Sequence, residues 1–235
     1  MTGTGVEDPF RLATAHRRGL SNRTFRLVRT LNVTRPNGTV LRRTARRATV
    51  GPNASRYRVV DTSDDTEAYP VRAVAPRVEL WWDGGPALFR LSGDGATRYR
   101  RIDGVPLSGP AEDLTMRDRI AGLLSAVDTT VVGREPGRPV RVILVAREVR
   151  SESVLRVPLL LDRPRNVGFS VEIDVNGVVR AYRLAYDATF EGERVKVVRQ
   201  VRFGFVPGPP EPPAWRGRAL NATTVSGPPP DTPGP

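Results

Sequence analysis

The stretch that decides the fold is Phe169–Phe205, FSVEIDVNGVVRAYRLAYDATFEGERVKVVRQVRFGF. Within it, apolar and polar residues alternate in three runs, which are separated by Asn176-Gly177 and by Glu191-Gly192-Glu193. A two-residue period places the apolar side chains on one face of a strand, and Asn-Gly between two such runs is a strong hairpin signal. The stretch therefore predicts an antiparallel meander of three strands with one buried face.

The same pattern appears near the start of the chain, in residues 25–34 and 40–50, on either side of the turn signal Pro36-Asn37-Gly38. These two runs predict a second hairpin, and its second strand is rich in arginine. The acidic segment Asp61–Glu67 predicts a solvated loop. Shorter strands are expected at residues 55–60, 78–82, 87–91, 96–102, 140–149 and 154–161.

Two segments predict helices. Asp8 and Pro9 suit the N-cap and the first position of a helix that ends near residue 21. In Asp113–Val127 apolar residues recur at helical spacing, which predicts a second helix in the middle of the chain.

These elements favour an α+β fold that is mostly β: a strongly curved antiparallel sheet, or half-barrel, with one N-terminal and one central helix. An immunoglobulin-like sandwich is the alternative, but the chain lacks the Cys–Trp–Cys spacing of such domains. We expect residues 1–215 to form a single domain. Residues 216–235 are rich in proline and predict a disordered tail.

Composition excludes several kinds of chemistry. The chain has 235 residues, of which 39% are hydrophobic, so it can bury a substantial core. It has no cysteine, which excludes disulfides, thiolate metal sites and cysteine nucleophiles. The single histidine, His16, excludes a multi-histidine metal site, and we expect it to be a packing or capping residue. We therefore predict a protein that is not an enzyme, with no cofactor and no metal.

Positive charge is concentrated at one end of the chain. The formal net charge is +12, and 36 of the 37 basic residues are arginine. Residues 1–60 hold 13 arginines against Glu7 and Asp8, whereas the rest of the chain is nearly balanced. Such an asymmetry favours an anionic partner, although arginines scattered over a solvated sheet face are the alternative interpretation.

Two kinds of candidate site follow. Inward apolar side chains of a curved sheet either fill a core or line a ligand cavity. The cavity candidates are Phe25, Leu27, Trp81, Phe89, Phe169, Ile173 and Phe203. The candidates for binding an anion are Arg26, Arg29, Arg42, Arg43, Arg46 and Arg47 in the arginine-rich hairpin.

Each site implies its own function. The cavity predicts a carrier for a lipid-like or other apolar ligand, and the hairpin predicts a basic adaptor for anionic lipid, glycan or nucleic acid. An anionic membrane surface fits the hairpin better than nucleic acid, because few aromatic residues lie near the arginines. The sequence makes no prediction of oligomeric state.

The asparagines point to export. Five of the seven stand in the glycosylation pattern Asn-x-Ser/Thr, and surface loops of exported proteins carry that pattern. The residues are Asn22, Asn32, Asn37, Asn53 and Asn221. The alternative is turn and cap chemistry, which favours the same residue types. On the strength of this pattern we expect an extracytoplasmic, cell-surface protein. Since residues 1–12 do not look like a signal peptide, we also expect that its leader is missing from this sequence.

Six segments together resemble an uncharacterised family of haloarchaeal surface lipoproteins. They are His16–Phe25, Arg35–Val40, Val50–Tyr57, Val78–Gly84, Asp174–Tyr186 and Pro212–Trp215. The resemblance implies an archaeal cell-surface protein with a half-barrel similar to that of LolA, LppX and LprG, which carry lipids or acyl chains. Two features depart from that family: this chain is basic, and it has no lipobox cysteine.

Overall fold

A computed structural model of the chain describes residues 5–65, 75–103, 114–136, 141–146, 148–151, 155 and 161–222. These residues form eleven strands, three α-helices and a short 3-10 helix, Pro52–Ala54. The helices are α1, Pro9–Ser21; α2, Arg117–Ser125; and α3, Arg216–Leu220. The strands are β1, Phe25–Thr34; β2, Val40–Val50; β3, Tyr57–Asp65; β4, Arg77–Trp82; β5, Ala87–Gly93; β6, Ala96–Ile102; β7, Thr130–Glu135; β8, Arg141–Ala146; β9, Asp162–Asp174; β10, Val179–Phe190; and β11, Glu193–Phe205.

All eleven strands belong to one antiparallel sheet, in the order β6-β5-β4-β3-β2-β1-β11-β10-β9-β8-β7. The chain begins at the centre, moves outward strand by strand to β6, and continues at the opposite edge with β7. It then returns to the centre with β11, which pairs with β1. Ten residue pairs, from Phe25–Phe205 to Thr34–Lys196, form this central seam.

The coarse fold prediction is confirmed: the protein is mostly β, its sheet is antiparallel, and helices lie at the two predicted places. The three-strand meander appears as β9, β10 and β11, with turns at the predicted positions. Gly177 and Gly192 adopt positive φ angles of 77° and 83° there, which glycine tolerates without steric cost.

Helices α1 and α2 cover one face of the sheet, which we call the helix face. Asp8 caps α1 by accepting a hydrogen bond of 2.8 Å from the Arg11 amide, and Pro9 occupies the first turn, as predicted. The apolar side chains of both helices join the inward residues of β1, β2 and β9–β11 in one core. The opposite side of the sheet is the outer face.

His16 joins three elements beneath the helices. Its ring is fully buried and lies 4.6 Å from the ring of Phe203, edge to face. Nε2 is 2.9 Å from the carbonyl oxygen of Thr115, just before α2, and Nδ1 accepts a bond of 3.1 Å from the Val179 amide. Because an amide donates to Nδ1, the neutral ring carries its proton on Nε2. The predicted packing role of this histidine is therefore confirmed.

Helix α3 covers the outer face at β4–β6. Trp81 and Trp82 point to opposite faces, as their adjacency in a strand predicts. Trp82 stacks on Tyr57 at 5.2 Å, whereas Trp81 packs with Trp215 beneath α3. Trp215 also donates a hydrogen bond of 3.3 Å to Glu79, a buried carboxylate. The tail predicted from residue 216 thus begins with a packed helix, and its residues 223–235 lie outside the described residues.

Glu79 is held by a group of cations. Burial by itself would raise the pKa of this carboxyl, but hydrogen bonds from Arg58, Arg77 and Trp215 together lower it. The Arg58 bond measures 2.7 Å and the Arg77 bond 3.1 Å. Buried charge of this kind is tolerated because several donors satisfy it. The cluster fixes α3 to the sheet.

Some element boundaries differ from the predictions. β3 continues through Asp65, so the first part of the predicted acidic loop is strand. In the register, Asp61 is opposite Arg46, and opposite charges across a ladder offset the low strand propensity of aspartate. β7 was not predicted, since its sequence does not alternate. The strand expected at 154–161 lies almost wholly outside the described residues.

No helix among the described residues is both long and apolar enough to cross a membrane.

Candidate functional site

The helix face holds a cleft of about 310 Å³ beside the central seam. Strands β1, β2, β3, β4, β10 and β11 form its floor, and α2 contributes one side. Five guanidinium groups line it, those of Arg29, Arg42, Arg46, Arg119 and Arg199. Asp61 is the one carboxylate among the described lining residues. Positive charge is therefore the main chemical property of this cleft.

Strand register explains why arginines face inward here. Arg29 on β1 pairs with Arg46 on β2, which in turn pairs with Asp61 on β3. Paired residues of an antiparallel ladder point to the same face. Since Phe25 and Leu27 precede Arg29 at two-residue steps and are buried in the core, Arg29 points to the helix face as well.

The carboxylate of the cleft is already occupied. Asp61 accepts two hydrogen bonds from Arg46, of 2.7 Å from Nε and 2.8 Å from Nη2. Such a bidentate pair is among the stronger polar contacts of proteins. Asp61 therefore holds Arg46 in place on the floor of the cleft.

Arg29 and Arg119 differ from Arg46 in their hydrogen-bond partners. Both side chains are half-buried, and neither makes a hydrogen bond or ion pair with another residue of the described ranges. Burial, together with the nearby charges of Arg46 and Arg119, lowers the pKa of Arg29 to about 10. The group still carries its charge at neutral pH. A pair of crowded guanidinium groups without an acceptor in the described protein is a suitable environment for an anion.

A further polar group lies at the cleft. The hydroxyl oxygen of Ser63, two residues after Asp61 on β3, is buried and has no hydrogen-bond partner among the described residues. A buried hydroxyl costs free energy unless it is hydrogen-bonded. Ser63 can therefore add a donor to the positive charge that the cleft offers a ligand.

Apolar side chains form the remainder of the wall. Leu31 on β1 and Val78 on β4 are half-buried, and Val201 on β11 is buried. The aromatic ring of Tyr182 also borders the cleft. Cations and apolar surface thus occur side by side, which suits a ligand with both an anionic and an apolar part.

The predicted cavity residues lie elsewhere on the sheet. Phe25, Leu27, Phe169, Ile173 and Phe203 are all buried in the core under the helices. Phe89 is partly buried and packs against the same core, while Trp81 lies on the outer face beneath α3. None of the seven side chains lines the arginine cleft.

The predicted anion-binding arginines divide between the two faces. Arg29, Arg42 and Arg46 line the cleft. Arg26, Arg43 and Arg47 are exposed on the outer face. The reason is the strand period, since Arg42-Arg43 and Arg46-Arg47 are neighbours in sequence and must point to opposite sides. The hairpin therefore presents two separate basic surfaces.

Sequence reasoning missed Arg119, Arg199 and Tyr182. A signal for Arg199 was present, because it stands between Val197 and Val201 at an inward position of β11. Arginine is mostly exposed in proteins, so an arginine at an inward position between valines marks a candidate site. No such signal existed for Arg119, which only the packing of α2 brings to the cleft.

The asparagines of the glycosylation pattern are mostly accessible. Asn22, Asn37, Asn53 and Asn221 are exposed, and Asn32 is half-buried within β1. Two of them, Asn22 and Asn221, follow the last residues of α1 and α3. The side chain of Asn37 accepts a hydrogen bond of 2.9 Å from the Thr39 amide in its turn. Turn and cap roles therefore coexist with exposure, and glycosylation stays a prediction.

No group of three or more histidine or acidic side chains in the described ranges has the arrangement of a metal site.

Comparison with known proteins gives weak likenesses only. No family model matches the chain, and no curated protein does. Among solved structures, MucB in complex with MucA, from Pseudomonas aeruginosa, has a TM-score of 0.33 and 16% identity, over 85% of this chain and 58% of that one. This chain thus spans little more than half of the matched chain of that complex.

Two other solved structures are covered over most of their length. A LolA superfamily protein from Nitrosomonas europaea has a TM-score of 0.26 and 5% identity, over 85% of this chain and 92% of that one. A DUF1329 family protein from Desulfovibrio piger has a TM-score of 0.26 and 13% identity, over 84% and 92%. Likenesses this weak do not identify a site, so the candidate site is defined by the geometry of this chain alone.

Proposed function

We propose that this protein is a non-enzymatic, extracytoplasmic binding protein of the cell surface, and that its ligand is a lipid-like amphiphile with an anionic headgroup. The headgroup lies in the arginine cleft, and the apolar part lies against Leu31, Val78 and Val201. The proposal joins the two functions that the sequence suggested, since one cleft supplies both cations and apolar surface.

The observation that carries the proposal is the pair Arg29 and Arg119. Two half-buried guanidinium groups repel each other and have no acceptor among the described residues. An anion placed between them removes the repulsion and satisfies their donors. Hydrogen bonds to charged groups contribute about 1.5–3 kcal/mol each, which corresponds to roughly 10- to 100-fold in affinity.

The proposed location has separate support. Four of the five predicted glycosylation sites are exposed, at Asn22, Asn37, Asn53 and Asn221, so a glycan could be attached without disturbing the core. This exposure is compatible with a protein that works outside the cytoplasm.

Two measurements test the ligand. Organic extraction of the purified protein, followed by mass spectrometry, identifies any amphiphile that it carries. Titration with a fluorescent fatty acid, compared with the alcohol of the same chain length, measures the contribution of the negative charge. We expect uptake of the acid, and weaker uptake of the alcohol, because only the acid can bridge Arg29 and Arg119.

Matched variants locate the site. Arg29→Gln and Arg119→Gln each remove a cation from the cleft and are expected to weaken binding of the acid about 10-fold or more. Arg26→Gln removes the same charge from the outer face of the same strand and should leave the affinity unchanged. A clean extract with no uptake of either probe, or an equal loss in all three variants, would contradict the proposal.

A further inference from the structure

A second basic surface lies on the outer face of the four central strands. Six cationic side chains are exposed there, and none makes a hydrogen bond or ion pair with another residue of the described ranges. We call this surface the outer basic face. It consists of Arg26 on β1, Arg43 and Arg47 on β2, Arg183 on β10, and Lys196 and Arg202 on β11.

The register shows how these cations are distributed. Arg47 and Arg202 lie on either side of Val28, in one row across β2, β1 and β11. From the row of Arg26 to that of Lys196 is eight residues along β1, or about 27 Å at a rise of roughly 3.4 Å per residue. Four strands at a spacing of about 4.8 Å give a width of roughly 14 Å. The charge therefore covers an area and does not follow a line.

Nearby carboxylates offset this charge only in part. Asp64 on β3 is exposed and lies opposite Arg43 in the ladder. Asp187 on β10 lies opposite Lys196. Asp187 on β10 accepts bonds of 2.6 Å from Arg194 and 2.7 Å from Asn166. Glu172 on β9 accepts a bond of 3.0 Å from Arg141. Asp187 and Glu172 are thus paired with partners other than the six cations, and the cations outnumber the carboxylates on these strands.

The described part of the chain leaves this surface uncovered. Helices α1 and α2 pack on the helix face, and α3 covers the outer face only over β4–β6. The residues between the cations are small or uncharged, for example Thr30, Ala45 and Ala181. The outer basic face is thus an accessible and strongly positive surface.

We propose that the outer basic face docks the protein onto an anionic membrane surface. An extended plane of negative headgroups matches cations that are spread over an area, and it requires no insertion of apolar residues. No outer-face residue of β1, β2, β10 or β11 is aromatic in the described structure, so the face offers nothing on which bases could stack. A membrane therefore fits better than single-stranded nucleic acid. This docking goes beyond the proposed ligand cleft, which lies on the other side of the sheet.

Such docking is electrostatic, so its strength depends on the number of cations and on the salt concentration. Each basic residue near an anionic leaflet strengthens binding about fivefold, and the effect falls off within roughly 10 Å at 0.1 M salt. Removal of three cations is therefore expected to weaken binding on the order of 100-fold.

Sedimentation with vesicles tests this inference. The full chain is mixed with vesicles of phosphatidylcholine alone, or of phosphatidylcholine with phosphatidylglycerol, at low and high salt. We expect binding only to the anionic vesicles and only at low salt. The triple variant Arg43→Gln/Arg47→Gln/Arg202→Gln should lose this binding, while Arg43→Lys/Arg47→Lys/Arg202→Lys should keep it, because lysine preserves the charge.

A control variant separates this face from net charge alone. Arg17→Gln/Arg18→Gln/Arg56→Gln removes three exposed arginines that lie on α1 and before β3, away from the outer basic face. It should bind anionic vesicles like the unchanged chain. Equal losses in both glutamine variants, binding that persists at high salt, or binding of duplex DNA through the same three residues without vesicle binding would overturn the inference. Uptake of the fluorescent fatty acid should be unchanged in both glutamine variants, so a failure here is distinct from a failure of the cleft.

Discussion

At the level of single residues, His16 shows how a buried polar ring can organise a fold. Its two nitrogens bond to the carbonyl before α2 and to the first amide of β10, while the ring packs on Phe203. These contacts fix the N-terminal end of α2, and Arg119 lies in the first turn of that helix. The geometry of the arginine cleft therefore depends on a residue that does not line it.

The state of His16 predicts a pH dependence of stability. Burial lowers the pKa of His16 from 6.5 to about 4 in the folded protein. Between these pH values the unfolded chain binds a proton that the folded chain does not. This proton uptake leaves the free energy of unfolding unchanged above pH 6.5 and lowers it by up to ~3 kcal/mol as the pH falls towards 4. Urea unfolding at pH 7 and at pH 5 measures the loss.

A variant at the same position provides the control. His16→Gln keeps an acceptor for Val179 and a donor for Thr115 but cannot be protonated. Its free energy of unfolding should change little between pH 7 and pH 5, whatever its absolute value. The same slope in both proteins would show that another group is responsible. The pKa values of the Glu79 and Asp187 carboxyls are lowered in the folded protein. The stability that their charged forms contribute is therefore lost only at more acidic pH.

At the level of elements, two helical glycines test the packing. A Cβ atom at Gly19 of α1 would lie 2.4 Å from Cγ2 of Val178, a buried and stiff side chain. At Gly122 of α2 no described atom lies within 4 Å of such a Cβ. Alanine is the better helix former by about 1 kcal/mol, but overpacking costs typically 1–3 kcal/mol.

The two substitutions should therefore have opposite effects. Gly19→Ala is expected to lower the free energy of unfolding by up to roughly 2 kcal/mol, because the clash outweighs the gain in helix propensity. Gly122→Ala should raise it by about 1 kcal/mol. Thermal or urea unfolding of both variants decides the question. Stabilisation by Gly19→Ala would mean that α1 does not lie so close to the turn before β10.

The elements also show what a sequence can predict. α1 and the β9–β11 meander were predictable because local signals, a cap and alternation with glycine turns, agree with their tertiary environment. The extension of β3 was not, since Asp61 becomes strand only through its pairing with Arg46 on β2. The cleft was half predictable: the arginines of β1 and β2 are visible in sequence, whereas Arg119 reaches them through helix packing alone.

At the level of the whole molecule, the sheet consists of two halves joined at one seam. β1–β6 lie on one side of it and β7–β11 on the other, and the β1–β11 ladder is the one strand pairing between them in the described sheet. We predict that cleavage at a protease site inserted between Asp103 and Leu114 leaves the two fragments associated, because every described ladder remains intact.

Gel filtration after cleavage measures this association. The fragments should elute together in buffer and separate only in urea at which the intact chain unfolds. The ten paired residues of the seam and the core beneath the helices supply the contact. Separation in buffer would mean that the seam does not hold the two halves without their covalent connection.

The seam also sets the order of events during synthesis. β11, the second neighbour of β1, leaves the ribosome some 160 residues after β1. Until then one edge of β1 has unsatisfied amide and carbonyl groups, which can pair with another chain. Closing so distant a contact is slow. The nascent protein is therefore exposed to this risk of aggregation until β11 emerges.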